Sequence, residues 1–508
     1  MPDKYVLAID AGTSAVRCLV ADLKGHIISL CSHKWDYQSP DDIAPLGKEF
    51  APEEFWKMIC DCVRQTLKKG GISAKDIIGI GATSQREGVV FLDKDGTELY
   101  AGPNIDLRAL TEGISIDSKF EKEIYSITGH LPSFLFAPAK LKWFQANRPE
   151  IYKKIATVLS IDDWLIYRLC GERVSETCSA SEIGLIDIRK RRWSNKLHEL
   201  LALPRGIYPE LVTAGSKVGK VTSQAASEIG ITRGTAVAQG APDAQCGLLG
   251  MGVKEKGHTG IIAGWSAPVQ MVTDEPVFDS EARTWTSCHP FDGRWILESN
   301  LGEAGSAISW LKEAMFEQNE SSEETIYGLM DKLALSVSPG ADGASAFLGP
   351  SAMDVSHLGL KFGGFLFPIP MSAASIQRAH LVRAAMENLC FAIKANCRQL
   401  EEISGLKIGE VRLGGGLTKS HCLIQILPAV LNMPVSVSEV TDVSTLGVAM
   451  CAAVGSGVYA SLEEAMTEMK PEMKVIEPER LSALEYAEHY QRWTSAAKWL
   501  EKLTEEMK

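Results

Sequence analysis

A short strand, a glycine-containing turn and a second short strand occur twice in this chain, once in each half. In the first copy, Tyr5 to Asp22, the apolar stretch Val6–Ile9 runs into Asp10-Ala11-Gly12-Thr13-Ser14-Ala15 and is followed by a second apolar stretch, Val16–Val20. Such runs predict two buried strands joined as a hairpin. The turn is chemically loaded. Gly12 has no Cβ and leaves room for close approach, Thr13 and Ser14 offer amides and hydroxyls to anionic oxygens, and Arg17 follows within a few residues. Asp10, at the strand end, is placed to hold a hydrated Mg²⁺ rather than the anion itself. An ordinary hairpin turn would use the same residue types. The second copy, Gly260 to Val272, contains Ala263-Gly264-Trp265-Ser266-Ala267, which matches Ala11–Ala15 at every position but one, 252 residues further on. A unit repeated once per half predicts two related domains facing each other across a phosphate.

The length agrees with that division, because 508 residues exceed what one hydrophobic core organises. A net charge of −12 with no long basic block argues against nucleic-acid or anionic-membrane partners and leaves room for a local phosphate pocket. No apolar run reaches the roughly 18 residues of a spanning helix, and Met1-Pro2-Asp3-Lys4 leads into a strand rather than a signal-peptide core. Of the twelve cysteines only Cys60 and Cys62 are close, at a spacing that fits neither a zinc knuckle nor a redox pair. They read as reduced core residues of a cytoplasmic protein.

Between the two hairpins, helix and strand patterns alternate. Pro52–Lys69 places Phe55, Trp56, Ile59, Val63 and Leu67 at helical spacing and stops at Gly70-Gly71. Ile77–Ala82 reads as a strand leading into Thr83-Ser84-Gln85-Arg86-Glu87-Gly88, with another strand at Val89–Leu92 and a turn at Asp93–Gly96. Gln85, Arg86 and Glu87 therefore lie at a strand end, where open α/β sheets bind ligands. Pro103-Asn104-Ile105-Asp106-Leu107-Arg108 forms a second polar corner before a helix. Either corner alone is more simply a solvated loop. Together they offer donors and acceptors suited to several hydroxyls of one polyol. Lys140–Gly171 reads as helical with a break at Asn147-Arg148-Pro149 and a second helix starting at Asp162-Asp163-Trp164. Ser175–Glu182 reads as a loop, Ser194–Leu203 as a helix, and the Gly- and Val-rich stretch after Pro204 as short strands.

The stretch with most chemistry is Ala236-Val237-Ala238-Gln239-Gly240-Ala241-Pro242-Asp243-Ala244-Gln245, a small-residue strand that runs into Asp243 at the start of a helix, Ala244–Gly250. An aspartate there is commonly an N-cap. This one stands about twenty residues before the second turn, which puts both at the edge of one cleft. Further on, Leu297–Lys312 reads as a helix with a small-residue start at Gly302, Ala304 and Gly305. Residues 337–375 are loop-rich, and Ile376–Ile403 is a long amphipathic helix. The strand Glu410–Leu413 ends in Gly414-Gly415-Gly416 before a helix from Ser420 to Leu431. Strand, glycines and helix start let backbone press against a flat or anionic ligand, or simply make a tight connection. GGGLTKS is not a Walker A loop, since Thr418 stands where the glycine before Lys419 is required. Leu481–Lys508 reads as a structural helix.

Taken together, DAGTSAVR, GAPDAQCGLLGMG, GGFLFP followed by HLVRAAMEN, and LGGGLTKSHCLIQILPAVLNMPV resemble the FGGY carbohydrate kinases, in family order and over essentially the whole chain. KLKWF, DDWLIYRLCGE and LIDIRKRRW match connecting segments of the same family. The resemblance implies an α/β fold of two ribonuclease-H-like, actin-like ATPase domains around a central cleft, residues 1–251 on the sugar side and 252–508 on the nucleotide side. It implies ATP-dependent phosphorylation of a hydroxyl on a small sugar or polyol, with Mg²⁺ as cofactor and Asp243 as general base. Residue by residue, Gly12, Thr13, Ser14 and Arg17 match the first phosphate loop and Gly264 and Ser266 the second. Gly305, Gly415, Gly416 and Ser420 fall on the adenosine side, Asp10 and Asp243 near the metal. Gln85-Arg86-Glu87 resembles the sugar corner of glycerol kinases, extended by Asp106 and by Asp243-Ala244-Gln245. Arg86-Glu87-Gly88, Asn104–Ala109 and Asp163-Trp164-Leu165 are more similar to the autoinducer-2 kinase branch, whose substrate is a linear tetrahydroxypentanedione, than to xylulokinases. A homodimer fits such a soluble enzyme.

The chain also departs from the family pattern. Trp265 replaces the usual threonine of the second loop, Ser309 and Ser420 stand where glycerol kinases have Gln and Asn, and no Gly-Glu-Arg segment is recognisable around Leu348–Val355. Trp265 is the feature that favours a rival, a sugar- or nucleotide-binding regulator without phosphotransfer. An assembly or chaperone ATPase of the actin or Hsp70 kind is opposed by Asp243 and the Gln85–Glu87 corner.

Overall fold

The computed structural model describes residues 4–316, 323–357, 361–370 and 375–507. Tyr5–Ala11 and Ala15–Asp22 pair as the expected antiparallel hairpin, with Asp10 opposite Arg17. Every residue of Tyr5–Ala11 after Tyr5 is buried, which is why an unbroken apolar run makes a central strand. On its other side the strand pairs in parallel with Ile77–Ser84, which pairs in parallel with Ala236–Gln239. Lys217–Lys220 and Ile27–Lys34 close the two edges of this six-stranded sheet.

The second half repeats the plan. His258–Ile262 and Pro268–Thr273 form the hairpin, and Glu410–Gly414 and Val435–Ser438 continue in parallel on the far side. Trp295–Asn300 and Trp285–Cys288 extend it past Pro268–Thr273, and Met473–Ile476 closes the opposite edge of a seven-stranded sheet. A hairpin followed by two parallel strands is thus common to both sheets, and it places both glycine turns at corresponding strand ends.

Two helices tie the halves together. Asp243–Met251 turns Cys246 and Leu249 toward Val6 and Ala8 of the first sheet, and Leu248 and Met251 toward Val272 and Ile296 of the second. Val443–Gly455, late in the chain, packs Leu446, Val448 and Ala449 on that same first sheet. The two helices cross at glycines: a Cβ at Gly447 would run into the Cys246 carbonyl and one at Gly250 into the Val443 carbonyl. Glycine inside a helix costs about 1 kcal/mol. Each fully buried Leu or Val in the seam contributes about 1.5–3 kcal/mol, so close packing wins.

Several local expectations need correction. Lys140–Gly171 is not helical throughout: after the helix Ala137–Asn147 and the turn Pro149–Tyr152 comes a buried strand, Thr157–Ser160, before the expected helix Ile161–Cys170. Its four residues join Val89–Leu92 and Glu98–Gly102 in a small antiparallel sheet, and four residues carry too little periodicity to be told from helix. Ser175–Glu182 is not a loop but the end of a strand, Val174–Glu176, and a helix, Thr177–Glu182. Its polar residues serve buried acids: the Ser175 and Ser179 hydroxyls donate to Asp163 and Asp162, and the Glu176 carboxylate caps the helix by accepting from the Cys178 and Ser179 amides. The stretch after Pro204 includes a helix, Ser223–Ile229, and Leu297–Lys312 begins as the strand Trp295–Asn300, the helix starting only at Ala304. All twelve cysteines are free, ten of them buried, as expected of core residues. No helix among the described residues is long and apolar enough to cross a membrane.

Candidate active site

The first glycine turn is held from behind. Gly12 N–H donates to the Ala15 carbonyl at 3.1 Å, and the Thr13 carbonyl accepts from Trp35 Nε1 at 3.2 Å and the Tyr37 hydroxyl at 2.6 Å. The Thr13 hydroxyl accepts from Asn104 Nδ2 at 3.0 Å, which leaves Ser14 as the exposed residue of the turn. Arg17 lies 3.6 Å from Asp10 and 3.5 Å from Asp442. Burial pushes the Asp10 carboxyl up and Arg17 opposes it. Asp10 Oδ2 accepts from Thr445 at 3.4 Å, whereas Oδ1 is buried with no hydrogen-bond partner among the described residues.

The corner Gln85–Glu87 continues the neighbouring strand. Gln85 is a brace: its Nε2 donates to the Tyr37 hydroxyl at 2.8 Å and its Oε1 accepts from the Asn104 amide at 2.9 Å. Glu87 sits at φ 59, a conformation that costs a non-glycine residue about 1–2 kcal/mol. The buried Lys140 ammonium donates to the Glu87 carbonyl at 3.0 Å and helps fix that backbone. Arg86 is met by carboxylates. Its Nη1 and Nη2 reach Glu298 Oε2 and Oε1 at 2.7 and 2.9 Å, Nη1 lies 3.4 Å from Glu182, and the guanidinium covers the Trp285 ring at 5.3 Å. Asp106 has no exposed surface. Its Oδ1 accepts from the Lys48 amide at 2.8 Å, and its Oδ2 from Arg108 Nε at 2.7 Å and from the Tyr100 hydroxyl. Asp106, expected on the substrate side, is buried and braces the corner from inside.

Asp243 opens its helix half-buried. Its Oδ1 accepts from the Ala244 amide at 2.7 Å, and no group among the described residues hydrogen-bonds its other oxygen. Burial pushes its carboxyl up to about 7, with Arg86 opposing and Asp10 adding to the rise. Burial likewise pushes Glu87 up to about 8, against Arg86 and with help from Glu182 and Asp243. Glu182 goes the other way. Burial alone would raise it, but Arg86, His130 and Ser287 hold it at about 2. Gln245, two residues after Asp243, donates to Glu182 at 2.6 Å.

Backbone contacts stitch the second turn to two other expected site segments. Gly264 N–H donates to the Ser266 carbonyl at 2.9 Å, a tighter closure than in the first turn. Gly305 N–H is shared between the Gly264 and Trp265 carbonyls at 3.1 and 2.9 Å, and a Cβ there would lie 2.5 Å from the Gly264 oxygen. Gly415, at φ 99, lets the glycine loop cross Ala263, whose carbonyl accepts from the Leu417 amide at 2.9 Å. Gly416 has open space beside its α-carbon. The Ser420 hydroxyl caps its helix and donates to Asp331 at 2.6 Å, so it is engaged within the fold. The Trp265 side chain is 68% exposed.

The structure thus collects Arg86, Glu87, Asp243 and Gln245 around Glu182 and Glu298, two acids that sequence reasoning missed. Glu182 was hidden in a stretch that reads as loop, and Glu298 in one that reads as helix. A buried acid pattern inside an apolar strand, Ile296-Leu297-Glu298, was the one available signal. Among the described residues no three His, Cys, Asp or Glu side chains form a metal cluster. One or two carboxylates suffice for Mg²⁺, which keeps several waters and takes its other oxygens from phosphates, and the unpartnered Asp10 Oδ1 fits that demand.

Two α/β halves, each bringing a glycine turn to a shared cleft, define the actin-like ATPase architecture. Within it, the chain belongs to the FGGY family of carbohydrate kinases: that family's N-terminal domain matches residues 5–250 and its C-terminal domain residues 260–456. The chain is 31% identical over 476 residues to the autoinducer-2 kinase of Yersinia enterocolitica, covering 91% of this chain and 88% of that one. It is 30% identical to the autoinducer-2 kinase of Escherichia coli with the same coverage. Its fold matches a xylulose kinase from Lactobacillus acidophilus with a TM-score of 0.86 at 19% identity, over 99% of this chain and 100% of that one. It matches Plasmodium falciparum glycerol kinase with ADP at a TM-score of 0.85 and 20% identity, over 98% of each chain. The protein is a phosphotransferase that uses ATP to phosphorylate a hydroxyl of a small sugar or polyol.

Proposed function

We propose that Asp243 is the general base of this transfer and that the acceptor is an open-chain polyhydroxylated compound bound on the side of residues 1–251, with the nucleotide on the side of residues 252–508. The observation that carries the reading is the Asp243 carboxylate. It is set at a helix start, has one oxygen open, and is pushed by burial up to about 7, where a base is half ionised at neutral pH. A substrate hydroxyl gives its proton to the open oxygen while its own oxygen attacks the γ-phosphorus of ATP in line, and ADP departs. Gly12, Thr13, Ser14 and Arg17 on one jaw and Gly264 and Ser266 on the other receive the phosphates, and Gly305, Gly415, Gly416 and Ser420 border the adenosine. Asp10 and Asp243 would hold Mg²⁺, which neutralises charge on the transferring phosphoryl group. Parting and closing of the two halves excludes water from the transfer.

Relatives named autoinducer-2 kinases support a linear, hydroxyl-rich acceptor of that kind. Twelve free cysteines support a reducing, cytoplasmic setting. ADP release measured over glycerol, erythritol, ribulose, xylulose and the linear autoinducer-2 precursor tests the proposal. Turnover strongest with the linear precursor is the expected result. Turnover independent of any acceptor would overturn it.

A further inference from the structure

Glu182 ends the helix Thr177–Glu182 and is 1% exposed. Its carboxylate gathers groups from three separate elements: Gln245 Nε2 at 2.6 Å, Arg86 Nη1 at 3.4 Å and His130 Nε2 at 3.7 Å. An ionised carboxylate only accepts hydrogen bonds, so the Gln245 amide must turn its NH₂ to Glu182. Its other end is then a carbonyl. That Oε1 is buried and has no hydrogen-bond partner among the described residues, and Glu87 Oε1 is in the same condition. An unpaired buried acceptor is destabilising, and the cost is relieved when something brings it a donor. Arg86 Nε lies 3.7 Å from Glu87 Oε1, an ion-pair distance too long for a hydrogen bond.

We propose that Glu182 is a positioning residue for the acceptor substrate: by holding the NH₂ of Gln245 it leaves the Gln245 carbonyl to accept from substrate hydroxyls. The site then selects an uncharged ligand that donates hydrogen bonds, and disfavours one that brings a carboxylate or phosphate to this end. With Arg86 already paired, Glu182, Glu298 and Asp243 would repel a second anion. This inference rests on the sugar-kinase reading with Asp243 as base and adds to it the hydrogen-bond polarity of the acceptor pocket.

Steady-state kinetics at saturating ATP, with D-xylulose and with the linear autoinducer-2 precursor as acceptors, test it on the wild type, E182Q, Q245A and the double variant. In E182Q the new amide lets Gln245 turn either way. The acceptor KM should rise about tenfold with kcat within twofold and the ATP KM unchanged, a loss of about 1.4 kcal/mol. In the Q245A background the same change should add less than twofold. An equal rise in both backgrounds, or a wild-type KM in E182Q, overturns the proposal. If E182Q fails to fold, Q245M reads the same contact, since it keeps the shape and removes the carbonyl: a tenfold KM rise supports the proposal and a wild-type KM overturns it. A wild-type enzyme that phosphorylates none of the panel would instead sink the function on which the inference rests.

Discussion

Arg86 and Glu298, 212 residues apart, form a two-point ion pair at 2.7 and 2.9 Å that joins the Gln85–Glu87 corner of the first half to the strand Trp295–Asn300 of the second. Glu298 also accepts from Gln270 Nε2 at 2.8 Å, so its carboxylate is held from both sides. Removing one partner of such a buried pair strands the other, which typically costs about 3–5 kcal/mol, whereas replacing both by apolar groups costs far less. E298Q should therefore unfold at markedly lower denaturant concentration than the wild type. Equal midpoints for the two would show that the pair adds nothing to holding the halves together.

Asp243 yields a pH prediction with a definite sign. Arg86 lowers its carboxyl while burial, Asp10 and Glu182 raise it to about 7. As the proposed base it must be ionised, so kcat/KM for the acceptor should fall about tenfold per pH unit below about 7 and level off above it. D243N should lose at least a thousandfold in sugar phosphorylation and still bind ADP, by calorimetry, within threefold of the wild type.

Gly305 tests the stitching of the second turn. A methyl at 2.5 Å from the Gly264 carbonyl must push that backbone away. G305A is expected to raise the ATP KM at least tenfold and to leave the acceptor KM within twofold, since the proposed acceptor side is the other half.

Trp265 is exposed enough that replacing it should change stability by no more than about 0.5 kcal/mol. W265T adds a hydroxyl donor to the turn. The expected outcome is a several-fold lower ATP KM with unchanged thermal unfolding.

Much of the fold was legible because its signals are local. The apolar runs at Val6–Ile9 and Val16–Val20, the Gly70-Gly71 stop and the Asp243 helix start each depend on residues within a turn or two of one another, and each element forms where expected. Failures came where polar side chains find distant partners. Ser175, Glu176 and Ser179 read as loop because nothing nearby shows that Asp162 and Asp163 await them.

The site divides along the same line. The sequence by itself determined that two matching turns would close strand ends in two related halves, that an aspartate would open a small-residue helix between them, and that Gln85, Arg86 and Glu87 would stand at a strand end. Turn chemistry and hydrophobic period are properties of contiguous residues. Only the tertiary structure decided which polar groups face a ligand and which face each other. It spends Gln85 on bracing two corners, buries Asp106 against Arg108, and brings Glu182 and Glu298 to Arg86 from elements 96 and 212 residues away. A buried charge takes whichever counter-charge the packing of the sheets delivers, and that packing is set by the whole chain.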